Sequence, residues 1–309
     1  MRKLLLFPLL FVLPLCALEE EELVWEDQGP NAQELNSWLQ DATERQDWWA
    51  VVDYADLLAY CFPTSPLAQE TAFTIGDAFL KLDQLELANR YFTAYLNRMS
   101  SPKKFEEAIQ CKFWIAEQFF SGAKRRLFNS HKMPKWVSGK DDALLIYDEV
   151  ITAQPHSEIA AKSLLHKGII EAEFDDYKQS LETLDLLIRR FPKHDLAAEA
   201  FVEKNRIYLQ QCKNESLDPG ILDLAFVNLE KFKLAFPREP RIAVAEKSLT
   251  EITEIFAQNL LETGMFFQKT KKIPASIIYY TKTIAKYPNS EAAVVAREKL
   301  EALQEAGHL

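Results

Sequence analysis

Residues 168 to 192 read GIIEAEFDDYKQSLETLDLLIRRFP and residues 264 to 288 read GMFFQKTKKIPASIIYYTKTIAKYP. Each stretch places Ser twelve residues after its Gly (Ser180, Ser276), apolar residues at 13, 16, 20 and 23, and Pro at 24. The apolar residues are Leu181, Leu184, Ile188 and Phe191 in one, and Ile277, Tyr280, Ile284 and Tyr287 in the other. Steps of three, four and three trace one face of an α-helix. Proline lacks the N–H that would continue the helix and disfavours helical geometry in the residue before it. Each stretch therefore predicts helix, tight turn, helix, stop.

Counting back eleven, eight, four and one from other prolines finds the same frame. Pro63 gives Val52, Ala55, Ala59 and Phe62; Pro155 gives Leu144, Tyr147, Ile151 and Gln154; Pro237 gives Phe226, Leu229, Lys233 and Phe236. Gly76 starts a further copy, with Ala88 at the small position, then Phe92, Leu96 and Met99, and Pro102 slightly late. Small residues at the Gly and Ser positions (Gly76, Ala88, Gly168, Ser180, Gly264, Ser276) let two helices approach closely. The spacing resembles the tetratricopeptide repeat, whose unit is about 34 residues. An irregular helical bundle would also show amphipathic helices ending at prolines, but fixed-period self-similarity is the mark of stacked units. The expected fold is all-α, a tetratricopeptide-like α-solenoid of about six helix pairs plus a C-terminal capping helix.

The chain opens with Arg2 and Lys3, an apolar run from Leu4 to Leu15, Cys16, and the acidic string Glu19 to Glu22. A twelve-residue helix is about 18 Å long against a hydrocarbon core of about 30 Å, so residues 1–17 read as a signal peptide and not as a membrane span. Residues 18–30 read as an acidic linker, and residues 31–306 as the repeat domain. Cys16 stands where a lipoprotein carries its acylated cysteine, and each buried CH₂ of an acyl chain contributes about 0.8 kcal/mol to anchoring. The alternative is that Cys16 leaves with the signal.

Forty-six acidic residues against 36 basic give a net charge of −10, which offers phosphates no attractive field, so nucleic acid is not an expected partner. Cys61, Cys111 and Cys212 lie in separate apolar helical contexts and are expected to be buried free thiols. His131, His156, His166, His194 and His308 stand apart, with no HExxH, no GxSxG and no phosphate-cradling glycine loop. No catalytic residue, metal, cofactor or small-molecule substrate is expected.

Two stretches are candidates for partner binding. The first pair, Asn31 to Phe62, is rich in bulky residues (Trp38, Leu39, Trp48, Trp49, Val52, Tyr54); they either fill a terminal core or, through Trp48 and Trp49, line a peptide pocket. The third pair opens with a long helix ending at Phe120. Its frame is then broken by an insert at residues 121–140 carrying Lys124, Arg125, Arg126, Lys132, Lys135 and Trp136. That insert is either a docking patch for an acidic partner or lipid headgroups, or a solvated loop. From Arg238 to about Phe267 one unusually long helix is expected, then Ile273 to Tyr287, then a last helix from Ser290 to Gln304 whose polar outer face suits a cap.

A signal ending near a cysteine, helical repeats punctuated by Tyr/Phe-Pro, a basic insert in the third pair, and a long helix running into GMFFQKTKKIPASIIYYTKTIAKYPNSEAA together resemble one family. It is the BamD-like (YfiO) family of outer-membrane lipoproteins of the β-barrel assembly machinery. The resemblance implies a non-catalytic scaffold, lipid-anchored on the periplasmic face of the outer membrane. It also implies protein partners, among them the barrel-forming assembly protein and nascent outer-membrane proteins. A soluble periplasmic adaptor for cell-wall synthesis, division or secretion is the alternative. In either case the binding surface is expected to be the groove lined by the first helices of the pairs.

Overall fold

The structure, a computed structural model, describes residues 29–98, 101–126, 134–214 and 218–306. The signal peptide with Cys16, nearly all of the acidic linker, and Lys132, His131 and His308 lie outside the described residues.

Six helix pairs follow one another: α1 (Ala32–Glu44) with α2 (Trp48–Cys61); α3 (Pro66–Gln69) and α4 (Thr71–Lys81) with α5 (Leu85–Arg98); α6 (Phe105–Phe120) with α7 (Lys140–Ala153); α8 (Glu158–Glu173) with α9 (Tyr177–Arg190); α10 (Asp195–Asn214) with α11 (Pro219–Ala235); and α12 (Ile242–Lys269) with α13 (Ile273–Lys286). The single helix α14 (Glu291–Glu305) covers the end. The substantial helix contacts join the two members of a pair or helices of neighbouring pairs, which is an ordered stack and not a heap.

The turn inside a pair is built the same way five times. Gln46, Asp83, Gly122, Asp175 and Lys271 have positive φ. Each donates its N–H to the carbonyl three residues back, and the next residue donates to the carbonyl five back, as in Asp175 to Ala172 and Asp176 to Glu171. This Schellman arrangement satisfies carbonyls that the helix end leaves open.

Close approach follows one rule as well. A Cβ on Gly76, Gly168 or Gly264 would lie 2.9, 2.9 and 2.6 Å from Phe92, Leu184 and Tyr280, each sixteen residues further on. In the first pair the sizes are exchanged: Leu39 stands where the others have Gly, Ala55 stands sixteen residues later, and both join one core cluster. Ser180 donates its hydroxyl to the Gly168 carbonyl at 2.6 Å, whereas Ser276 bonds within its own helix to Ile273; Ala88 fills the same place in the second pair and is buried.

The stops also repeat. Phe62, Gln154, Phe191, Phe236 and Tyr287, each before a proline, cap their helices with φ between −126° and −137°. Three of the following helices begin on a serine, Ser65, Ser157 and Ser290, whose hydroxyl accepts a backbone N–H.

Between pairs, a lysine on a first helix reaches the second helix of the preceding pair nineteen residues back. Lys112 Nζ is 2.6 Å from Thr93, Lys167 is 2.5 Å from Asp148, and Lys204 is 2.6 Å from Asp185. The Lys112 side chain is fully buried, and desolvation holds its pKa below the ordinary value although Glu149 lies 2.5 Å away.

Three expectations are corrected, and one helix is divided where the sequence drew no boundary. In α11 the count holds at Leu229, which is buried, but not at Phe226, which is exposed; Ile221, Ala225 and Phe232 supply the rest of the buried face. The first helix of the second pair is divided at Glu70, whose carboxylate accepts the Tyr95 hydroxyl at 2.9 Å. Cys61, the last residue of α2, is exposed, and Cys111 is partly buried; of the three described thiols Cys212 is the buried one. The described ends of the insert are regular structure, where the alternative to a docking patch was a solvated loop. Lys124–Arg126 (β1) pairs antiparallel with Lys135–Ser138 (β2) as a two-stranded ribbon.

Candidate protein-binding surface

The first helices of successive pairs touch one another, α8 with α10, α10 with α12 and α12 with α14, and so form a continuous inner wall. Near its C-terminal end the wall opens into a groove of about 680 Å³. Its floor is apolar, Ile255 of α12 with Ala292 and Val295 of α14, and its rim carries Glu251, Glu254, Glu262 and Glu291 against the single Lys213 of α10. Lys213 lies 3.6 Å from Glu251. Glu254 is held in place: its carboxylate accepts the N–H groups of Glu291 and Ala292 at 2.8 Å each, which closes the N-terminus of α14. Apolar contact flanked by carboxylates suits a partner segment that mixes apolar and basic side chains.

The groove owes its shape to α12. This helix runs unbroken through Gly264 for 28 residues, about 42 Å, and meets α10, α11, α13 and α14.

The described candidate residues fall in two places, the start of α2 and the ribbon. Trp48 is half-buried against the core of the first three pairs; Trp49, 52% exposed, sets its ring edge-on to Phe79. Leu39 and Val52 are core, while Trp38 is exposed beside Tyr54. In the ribbon, Arg125 pairs with Asp142 at 3.2 Å and Lys135 with Asp83 at 2.7 Å. Arg126 donates its N–H to Glu86 at 2.7 Å and its Nε to Gln84 at 3.1 Å. These cations tie the insert to the turn of the second pair and to α7. Lys124 and Trp136, the latter 72% exposed, remain at the surface. The groove carboxylates were missed in the sequence because they come from α12 and α14, whose polar faces read as solvated surface.

A second polar cluster joins three helices of the third and fourth pairs. Glu117 accepts the Tyr147 hydroxyl at 2.5 Å and lies 2.7 Å from Nδ1 of His166, whose ring stacks on Phe120. Burial alone would raise the Glu117 carboxyl, but the bonds to His166 and Tyr147 outweigh it and hold it below its usual value. Burial and the adjacent carboxylate push the Tyr147 hydroxyl far up. His194 accepts the N–H of Leu196 at the start of α10, a turn role. Among the described residues no group of three or more His, Cys, Asp or Glu side chains is placed to hold a metal ion, and no helix is long and apolar enough to cross a membrane.

The family described as YfiO, outer membrane lipoprotein, matches residues 137–308, more than half of the chain. The chain belongs to the YfiO family. The match begins in β2 and runs through α14, so it takes in the groove and leaves out the first two pairs. Among solved structures, this YfiO-family chain is similar to a tetratricopeptide repeat protein from Parabacteroides merdae, at 12% identity over 87% of this chain and 97% of that one, TM-score 0.36. A thermophilic tetratricopeptide protein of Thermus thermophilus is 14% identical over 71% and 99%, TM-score 0.33. PilW, a type IV pilus biogenesis factor, is 14% identical over 85% and 97%, TM-score 0.30. No curated protein matches the chain.

Proposed function

We propose that the chain is a non-catalytic scaffold, anchored through lipid on Cys16 to the periplasmic face of the outer membrane, which holds protein segments during β-barrel assembly. The carrying observation is the groove built by α10, α12 and α14, within the region that belongs to an outer membrane lipoprotein family. Stacked pairs offer a rigid surface with apolar floor and charged rim, where an extended or helical segment buries apolar side chains and matches charge. Partners are the barrel-forming assembly protein and nascent outer-membrane proteins.

Capture from solubilised envelopes tests the reading. Barrel-assembly components are expected with the parent protein and are expected to fall away with Glu251→Lys and Glu262→Lys, which reverse the exposed rim. Recovery of cell-wall or secretion components alone would replace the reading with that of a periplasmic adaptor. The anchor is tested separately: partition into a detergent phase is expected to disappear on Cys16→Ala, and unchanged partition would remove lipid from the proposal.

A further inference from the structure

The far end of the sixth pair carries a charge pattern opposite in sign to the net charge of the chain. Residues 263–290 hold five lysines and no aspartate or glutamate, within a chain of net charge −10. Lys269, Lys271 and Lys272 crowd the turn between α12 and α13, and Lys282 stands on the exposed side of α13. Elsewhere in the stack Lys112, Lys167 and Lys204 are spent on carboxylates of the chain. Here, among the described residues, the ammonium groups face rings: Lys272 Nζ is 5.9 Å from the centre of Phe267 and Lys282 Nζ is 6.0 Å from that of Tyr279.

Apolar side chains stand between these lysines in solvent. Phe266 is 60% exposed and Ile278 64%. Phe266 meets Phe267 edge-on at 5.6 Å, and Phe267 stacks on Tyr279 at 5.4 Å, so rings from both helices make one strip. Ile278 lies on α13 one helical turn before Lys282, on the same face as it.

We propose that this end of the molecule docks on an anionic phospholipid surface, Phe266 and Ile278 entering the headgroup layer while the lysines lie among the phosphates. An apolar strip ringed by lysines is the composition that settles at a membrane interface, where the long lysine stems keep their charge in the polar layer. An acidic protein partner fits less well. The bidentate grip that fixes a single carboxylate in place comes from the forked guanidinium of arginine, and residues 263–290 contain none. Ammonium groups on flexible stems instead follow a diffuse field. The same surface repels the acidic remainder of the chain, which orients the molecule with this end down. The inference goes beyond the groove and stands without it.

Flotation of the full chain with vesicles tests it. Partition into phosphatidylcholine containing about a third phosphatidylglycerol is expected to exceed partition into phosphatidylcholine alone by about tenfold or more, and the excess is expected to vanish at high salt. K269E/K272E/K282E is expected to remove the excess, and Phe266→Ser to lower it about tenfold. The corresponding triple arginine variant is expected to keep it. All variants carry the same N-terminus, so association through that segment is common to them. Equal partition of the parent into both vesicles overturns the proposal whatever the variants do. So does an anionic preference that survives charge reversal, or a reversal that abolishes capture of polyglutamate while vesicle binding stays unchanged.

Discussion

Glu117 shows how a side chain can be decided by partners the sequence gives no reason to connect. Its carboxyl titrates below its ordinary 4.5 because the bonds to His166 and Tyr147 outweigh burial. A carboxyl depressed in the folded state contributes stability above its unfolded pKa and loses it as pH falls through the folded one. Glu117→Gln is therefore expected to melt below the parent at pH 7, with the gap closing as pH drops from about 4.5 downward. Equal melting temperatures at pH 7 would show that the cluster adds nothing. Reading the sequence finds His166 only as an isolated histidine, since Glu117 is 49 residues away. The frame residues behave differently. Ala55, Tyr147, Leu184, Leu229 and Tyr280, each eight before a proline, are all at most 3% exposed, because that position is fixed by contact within a pair and so by local spacing. Gly139 escapes the count for the opposite reason: a Cβ there would lie 2.1 Å from Phe119, but the insert separates the two.

Among elements, the ribbon and the last helix depend on contacts across the stack. Arg125 faces Asp142, so reversing it to Glu would set like charges together and is expected to destabilise the protein as well as change its surface. Lys124→Glu and Trp136→Ser, at exposed positions, are expected to leave the stability within about 0.5 kcal/mol of the parent's. Loss of partner capture by these two alone would mark the ribbon as a docking element; unaltered capture would leave it a strut. Helix α14 is tied down by Glu254, and Glu254→Ala is expected to cost about 1 kcal/mol and to speed amide exchange across residues 291–305. Exchange unchanged there would show that water replaces the carboxylate without loss. Helix limits were legible from proline stops. The ribbon was not, because its register and its anchors Asp83 and Glu86 are set by the neighbouring pair and not by β propensity.

The whole molecule is a one-dimensional chain of contacts, and the position of an injury in the stack should matter as much as its chemistry. Gly168 and Gly264 make the same close approach, to Leu184 and Tyr280, so leucine at either is expected to overpack one pair by about 1–3 kcal/mol. Gly264 belongs to the end. Its surroundings form a separate cluster of Ala257, Leu261, Tyr280, Ala292, Ala296 and Leu303, contributed by α12, α13 and α14 alone. Opening that cluster relieves the strain and sacrifices one interface. Gly168 lies in α8, which contacts α6 and α7 on one side and α10 on the other, so relief there breaks two. In a nearest-neighbour stack, strain is released where the fewest interfaces are lost. Gly264→Leu is thus expected to melt in two steps, the first confined to the end of α12, α13 and α14. Gly168→Leu is expected to shift one cooperative transition of the central pairs. Amide exchange followed by mass spectrometry through a denaturant series separates the two patterns. If both variants lost protection uniformly along the chain, the pairs would be one cooperative unit, and the partition of the core into local clusters would have no energetic meaning.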